Sequence, residues 1–218
     1  MKQSIGIDGP AGAGKSTVAK RIAKILGIPY LDTGAMYRGV AVAAKRRGIE
    51  FTDEESIAEM IGGLDLKVRY TETDEQHILI DGDDVTAQLR TEEISQGASL
   101  VSRVPAVRDR MTVLQREVAH EQRVIMDGRD ICTNVLYDTP YKFFVTASAE
   151  ERANRRYKQL LESGQDADYD TILKDIIRRD RQDSERAYMP LYCGEDTKLI
   201  DTTHMTIEEA VEAILSEV

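Results

Sequence analysis

Eight residues near the start of the chain, Gly9-Pro10-Ala11-Gly12-Ala13-Gly14-Lys15-Ser16, constrain it more than any other stretch. They follow the apolar run Ile5-Gly6-Ile7-Asp8, which reads as a strand. They lead into Thr17 through Leu26, where apolar residues recur at helical spacing. Strand, glycine loop, Lys-Ser and helix together are the context of a phosphate-binding P-loop; without its flanks the string would be an ordinary Gly-rich turn. Glycines let backbone N–H groups point inward without a Cβ in the way. Those amides and the helix N-terminus then cradle the β-phosphate of a nucleoside triphosphate. In such a loop Lys15 reaches the β- and γ-phosphates, and the Ser16 hydroxyl ligates Mg²⁺.

The rest of the chain alternates strand and helix. Strands are expected at 3–8, 30–32, 124–126, 141–145 and 198–200, and a helix at 15–26. Thr33 is expected to cap a helix over about 34–47 that Gly48 closes. Thr52-Asp53-Glu54-Glu55, Ser148-Ala149-Glu150-Glu151 and Thr206-Ile207-Glu208-Glu209 read as capping boxes opening three further helices. Helices at about 91–102, 105–121 (with Pro105 at its start) and 169–186 complete the set. Five short apolar strands separated by helices predict an α/β fold, a five-stranded parallel sheet flanked by helices. Residues 64–70 and 77–81 alternate apolar and polar and read as an antiparallel hairpin, which breaks the βαβ rhythm. The expected organisation is one unit with a core of about 1–35, 104–150 and 187–218. An insert of about 36–103 contains the antiparallel strands, and a small helical lid spans about 151–186.

The chain has 218 residues, room for one large domain or a core with insertions. No apolar run approaches the roughly 18 residues that cross a bilayer. Entry into a strand straight after Met1 argues against a signal peptide. Cys132 and Cys193 lie far apart without a CxxC partner, as expected for reduced thiols in the cytoplasm. His77, His120 and His204 lack metal-ligand spacing. A net charge of −10 disfavours a polynucleotide partner. Seven of the nineteen arginines nevertheless fall between Arg152 and Arg186, which suggests a focused anion site.

Ligands of such sheets sit beyond the carboxyl ends of the strands. Three strand ends carry chemistry there: Asp8 before the glycine loop, Asp32-Thr33-Gly34, and Asp127-Gly128-Arg129-Asp130. Thr33 and the first helical amides can hold a phosphate that Arg38 reaches from about one and a half turns inside; the bland alternative is an N-cap and a solvated arginine. Asp127 suits Mg²⁺ or its waters. Arg129 offers a bidentate donor for phosphate, and Asp130 an acceptor for an amino group or ring N–H, unless the two simply pair with each other. Arg179, Asp183 and Arg186 share one helical face by spacing, as do Arg152, Arg155 and Arg156. Such runs are usually solvated. Arginine is, however, the better phosphate clamp, and two arginine-rich helices joined by Glu162-Ser163-Gly164-Gln165-Asp166 read as a flap closing over phosphates.

With these residues placed, the chain resembles the bacterial cytidylate kinases among P-loop nucleoside monophosphate kinases, from end to end. The marks are GPAGAGKST at 9–17, LDTGAMYR at 31–38, IDGDDVT at 80–86, RTEEISQGASLVSRVPAVRDRM at 90–111, DGRDI at 127–131, SAEERANRRYKQL at 148–160 and RRDRQDSERAYMPL at 178–191. The resemblance implies transfer of the γ-phosphoryl group of ATP to CMP or dCMP, with Mg²⁺, by a cytoplasmic monomer using neither nucleic acid nor membrane. It implies that the 64–81 strands belong to an enlarged monophosphate-binding subdomain. Gly9, Pro10, Ala11, Gly12, Ala13, Gly14, Lys15, Ser16 and Thr17 would hold ATP, helped by the lid arginines Arg152, Arg155 and Arg156. Thr33, Tyr37 and Arg38 would lie along the monophosphate, with Arg129 and Arg186 joining Arg38 on its phosphate. Ser99, Arg108 and Asp130 would read cytosine, and Arg179 and Asp183 would contact the ribose. Lys15, Arg129, Arg155 and Arg186 would act on the transferring group, and Ser16 and Asp127 would hold the metal, partly through water.

Phosphoryl transfer needs in-line positioning and charge stabilisation rather than a covalent nucleophile, which suits this residue set. Another small-molecule P-loop kinase, acting on UMP, AMP, dTMP or shikimate, would share the fold and half the site, but the insert and Asp-Gly-Arg-Asp argue against it. A GTPase switch would want Asn-Lys-x-Asp and Asp-x-x-Gly motifs, and the sequence contains neither. A non-catalytic nucleotide sensor would be expected to lack some of Lys15, Ser16, Asp127 and the arginines.

Overall fold

The fold is taken from a computed structural model that describes residues 3–73 and 75–218. Strands β1 (Ile5–Asp8), β2 (Tyr30–Asp32), β6 (Ile125–Gly128), β7 (Lys142–Thr146) and β8 (Lys198–Asp201) form one five-stranded sheet in the order β2-β6-β1-β7-β8. A separate antiparallel sheet has the order β3-β4-β5, with β3 at Leu66–Tyr70, β4 at Gln76–Ile80 and β5 at Asp83–Asp84. The helices are α1 (Lys15–Leu26), α2 (Thr33–Arg46), α3 (Glu54–Gly62), α4 (Glu92–Val101), α5 (Pro105–Glu121), α6 (Ala149–Glu162), α7 (Tyr169–Glu185) and α8 (Ile207–Leu215). This is the α/β architecture that the alternation predicts. The chain divides into two compact units, one of residues 1–28 and 123–218 and one of residues 29–122. Among the described residues no helix is long and apolar enough to cross a membrane.

In the first unit β1 pairs in parallel with β6 and β7, and β7 with β8. Ile5, Ile7, Ile125 and Met126 are wholly buried, as apolar strands of a parallel sheet covered on its faces must be. The register sets Ile7 beside Asp127 and Asp8 beside Gly128, so β1 and β6 end together and deliver their acidic residues to the same edge. α1 closes on Gly27, whose φ of 62° is left-handed and whose N–H returns to the Ala23 carbonyl. α8 opens with the full expected capping box: Glu209 N–H donates to the Thr206 hydroxyl, and the Glu209 carboxylate accepts from Thr206 N–H. At α6 only half of the expected exchange forms. Ser148 accepts from Glu151 N–H, while the Glu151 carboxylate turns to Arg155.

In the second unit α2 packs on the hairpin β3–β4. A Cβ on Gly39 would lie 2.8 Å from Ile78 Cγ2, so the helix reaches β4 only because residue 39 is glycine. The hairpin pairs Leu66 with Ile80 and Tyr70 with Gln76. β5 was not anticipated, although Asp81-Gly82 is a two-residue hairpin signal and both residues have positive φ (50° and 90°). Three boundaries also differ from expectation. Asp32, not Thr33, caps α2, because its carboxylate reaches Ala35 N–H; Thr33 is the first helical residue. Asp53, not Thr52, caps α3, accepting from Ser56 N–H. Arg186 lies just past the end of α7 with extended backbone, so it does not share the helical face of Arg179 and Asp183.

Candidate active site

The glycine loop occupies the turn between β1 and α1. Gly9 has φ 145°, and a Cβ there would fall 1.9 Å from the Val145 carbonyl oxygen, so only glycine fits between β1 and β7. Gly14, in the left-handed region, precedes α1, and no side chain caps that helix. A helix start without a side-chain cap has the backbone donors that suit an anion. Lys15 is buried and donates from Nζ to the Pro10 carbonyl at 2.7 Å, arching over its own loop. Burial, and then the nearby Arg129 charge, lower its pKa to about 7 against the pull of Asp127 and Asp8. A cation held there so reluctantly gains from any anion that enters. Ser16 Oγ donates to Asp127 Oδ2 at 2.7 Å, joining the helix start to the end of β6. A hydroxyl and a carboxylate within one hydrogen bond of each other are hard oxygen donors, and they fit Mg²⁺.

Beyond Asp127 the chain turns through Gly128, Arg129 and Asp130 into one π-helical turn, Ile131–Val135. Arg129 Nε donates to Asp183 Oδ2 of α7 at 2.7 Å. Burial alone would raise the Asp183 carboxyl, but Arg129, Arg179 and Arg186 hold it below the ordinary range. Arg186 approaches Asp183 at 3.9 Å and Asp130 at 3.8 Å, and its Nε donates to the Met189 carbonyl. Asp130 also accepts from the Asn134 side chain at 3.3 Å. Arg129, Asp130, Arg179, Asp183 and Arg186 thus form one mutually charged set in this unit, and Arg179 acts on Lys15 as well.

The three expected lid arginines have separate fates. Arg152 is buried; it donates to the Ala147 carbonyl, to the P-loop Ala11 carbonyl at 3.0 Å, and to both Asp180 oxygens at 2.9 and 2.6 Å. Arg155 binds Glu151 and both the hydroxyl and the carbonyl of Thr202. Its NH1 lies 4.0 Å from where a Gly14 Cβ would stand, so it borders the glycine loop. Arg156 pairs with Gln159 at the surface.

The second unit holds the other set. Asp32 Oδ1 accepts from Ala35 N–H at 2.9 Å, and Oδ2 accepts from Arg38 at 2.7 Å, so one carboxylate caps α2 and holds Arg38 across the helix start. The Gln76 side-chain amide accepts from Asp32 N–H at 2.7 Å and donates to the Asp32 carbonyl at 3.1 Å, gripping that backbone from β4. Thr33 is buried beside this cap. Arg108 is buried on α5, with its guanidinium carbon 5.7 Å from the centre of the Tyr37 ring, and it donates to the Ser102 carbonyl at 3.3 Å. Ser102 in turn donates to the Ser99 carbonyl, which ties Ser99 to the same group. Gln76 carries no motif, and its partner lies 44 residues away. Asp180 belongs to the segment at 178–191 and suggests a local ion pair by sequence, yet the arginine it holds, Arg152, lies 28 residues away.

Comparisons with known proteins agree with this arrangement. A family profile described as cytidylate kinase matches residues 5–218. A cytidylate kinase of Caldanaerobacter subterraneus subsp. tengcongensis is 48% identical over 210 residues, covering 96% of this chain and 92% of that one. One of Bacillus subtilis is 45% identical over 217 residues, covering 100% and 96%. Among solved structures, an uncharacterized protein from Eubacterium ventriosum shares the fold alone, with TM-score 0.54 and 14% identity over 99% of this chain and 97% of that one. The glycine loop, the Asp-Gly-Arg-Asp turn and the arginines around Asp183 all lie inside the matched span, and the chain belongs to the cytidylate kinase family.

Proposed function

We infer that the residues of the two units divide the work of (d)CMP phosphorylation between donor, acceptor phosphate and base. As a cytidylate kinase, the chain transfers the γ-phosphoryl group of ATP to CMP or dCMP, giving ADP and CDP or dCDP. The observation that carries the assignment of roles is the Ser16–Asp127 contact at the mouth of the glycine loop. It supports Gly9 through Thr17 as the triphosphate cradle and Ser16 and Asp127 as the holders of Mg²⁺. That ion, when bound, offsets charge on the β- and γ-phosphates. Lys15 stabilises the charge that develops on the transferring group, and its burial makes the interaction stronger than in water.

Arg38, Arg129 and Arg186 hold the acceptor phosphate, with Thr33 and Tyr37 along the nucleotide and Arg179 and Asp183 at the ribose. Arg129 reaches that task pre-oriented by Asp183, which limits the side-chain freedom lost on binding. Arg155 borders the glycine loop and serves the donor phosphates; Arg152 supports the loop through its Ala11 carbonyl. Arg156, at the surface, completes the lid of about 151–186. Ser99, Arg108 and Asp130 read cytosine. Asp130 accepts from the cytosine amino group, whereas O4 of uracil cannot donate and would set acceptor against acceptor.

The test is ADP release from ATP and Mg²⁺ with CMP, dCMP, UMP, AMP, GMP, dTMP and shikimate as acceptors. CMP and dCMP should turn over far faster than UMP. Asp130→Ala should lower kcat/KM for CMP by about a hundredfold while ATP binding persists. Near-normal CMP turnover in that variant would remove Asp130 from base recognition.

A further inference from the structure

We propose that Asp8 is a positioning residue for base selection: its buried carboxylate fixes the backbone that presents Asp130, and so sustains the preference for cytosine. The proposal rests on the reading of Asp130 given above. Asp8 is the last residue of β1 and has no exposed surface. Its Oδ1 accepts from Ile131 N–H and its Oδ2 from Cys132 N–H, both at 2.8 Å. These are the two amides immediately after Asp130. On the other side, the Asp130 carbonyl accepts from Asn134 and Val135 N–H at 3.0 and 3.3 Å. Asp130 itself has φ −145° and ψ 27°, outside both helix and strand, so no regular ladder sets its direction. The Asp8 carboxylate supplies that constraint.

The choice of an acid there is costly, and the cost is informative. A residue that only filled space at the end of β1 would be neutral, because burying a carboxylate is unfavourable. Burial and then the neighbouring Asp130 charge raise the Asp8 carboxyl to about 6, even with two amides donating to it. Each amide meets a different oxygen, and an Asn side chain in the same place would set its NH2 against one of the two N–H donors. The two-handed grip on residues 131 and 132 is what the charge provides. Asp8 also directly precedes Gly9, so the strand end that launches the glycine loop fixes the base-reading turn as well.

The experiment compares Asp8→Asn, Asp130→Asn and the double variant in the full-length enzyme. It measures kcat/KM for CMP and for UMP at saturating ATP, together with KM for ATP. Asp8→Asn should lower the CMP-to-UMP ratio about tenfold, the scale of one misplaced buried hydrogen bond, with KM for ATP within about twofold. The double variant should show the ratio of Asp130→Asn alone, because Asp8 acts through Asp130. A purely structural role would depress CMP and UMP together and leave the ratio intact, which would overturn the proposal. Multiplying effects in the double variant would overturn it too, by showing that Asp8 acts independently. If Asp130→Asn leaves the ratio unchanged, the base reading itself fails and Asp8 has nothing to act through. Should Asp8→Asn fail to fold, Asp8→Ser, smaller and neutral, is read against the same outcomes.

Discussion

α1 and α2 both begin where a short strand ends, yet their first turns are built in opposite ways. α1 starts behind Gly14 with no side-chain cap and no acidic residue in its first turn. α2 starts behind Asp32, whose carboxylate takes the Ala35 amide and the Arg38 guanidinium together. The first helix start carries no side-chain cap, so on the proposed reading its amides and dipole serve a phosphate from outside. The second is closed by its own carboxylate. On the proposed reading, anion recognition there belongs to Arg38, held in place by the acid that occupies the helix start. A strand end entering a helix is thus no phosphate site in itself; what the cap position carries decides which group binds.

The most damaging way to break this contrast is at Lys15, whose ammonium arches over the loop before the open start. Lys15→Ala should cut turnover by about 10²–10³-fold, the scale of losing one preorganised charge donor. The fold should survive. Lys15 is a buried cation whose pKa has dropped to about 7, so its removal relieves an unfavourable burial, and the melting temperature should hold or rise. Steady-state ADP release and a thermal melt check both halves. Retained turnover would dissolve the distinction between the two helix starts.

The open loop also leans on side chains far away in sequence. Arg152 spans from the Ala11 carbonyl to Asp180, and in that pair Arg152 is 5% exposed and Asp180 29%. Asp180→Ala leaves a buried guanidinium with a lost partner. Partial exposure of Asp180 discounts the cost of breaking a buried pair to about 2 kcal/mol. For a chain of this size that is a fall of about 4–8 °C in melting temperature. Arg181 and Glu185, on the same helix, are 78% and 68% exposed at 3.4 Å. Glu185→Ala should stay within about 0.5 kcal/mol of the parent. Equal falls for the two variants would mean that the strut to the glycine loop carries nothing.

This split also marks what the sequence makes legible. The ends of α1 and α5 and the capping box at Thr206 depend on neighbours within a few residues, and the structure has them where the sequence implies. The charged side chains are another matter. Asp32 and Thr33 are both good caps, and the preference for Asp32 follows from Arg38 and Gln76 meeting it. Arg186 continues the helical spacing of Arg179 and Asp183, yet it leaves the helix, and its guanidinium binds the Met189 carbonyl. Arg152, Arg155 and Arg156 look alike in a string. They are told apart by Asp180, Thr202 and Gln159, of which the first two are 28 and 47 residues away. β5 follows a local signal, since Asp81-Gly82 takes the positive φ values of a two-residue hairpin turn.

The gentlest test sharpens the contrast from the closed side. The Gln76 side chain bonds both backbone groups of Asp32, and it stands at the start of β4 in the hairpin that interrupts the βαβ rhythm. If the closed helix start works by holding Arg38, then loosening Asp32 should weaken the acceptor and spare the donor. Gln76→Leu, of similar size, removes one accepted and one donated hydrogen bond. KM for CMP should rise about three- to tenfold, with kcat and KM for ATP nearly unchanged. Gln76→Glu keeps the acceptor and should fall between leucine and the parent. An unchanged KM for CMP in both variants would detach the hairpin from the phosphate end of the acceptor. Equal rises in KM for CMP and ATP would instead point to a general loosening of the fold, in which the closed helix start has no role of its own.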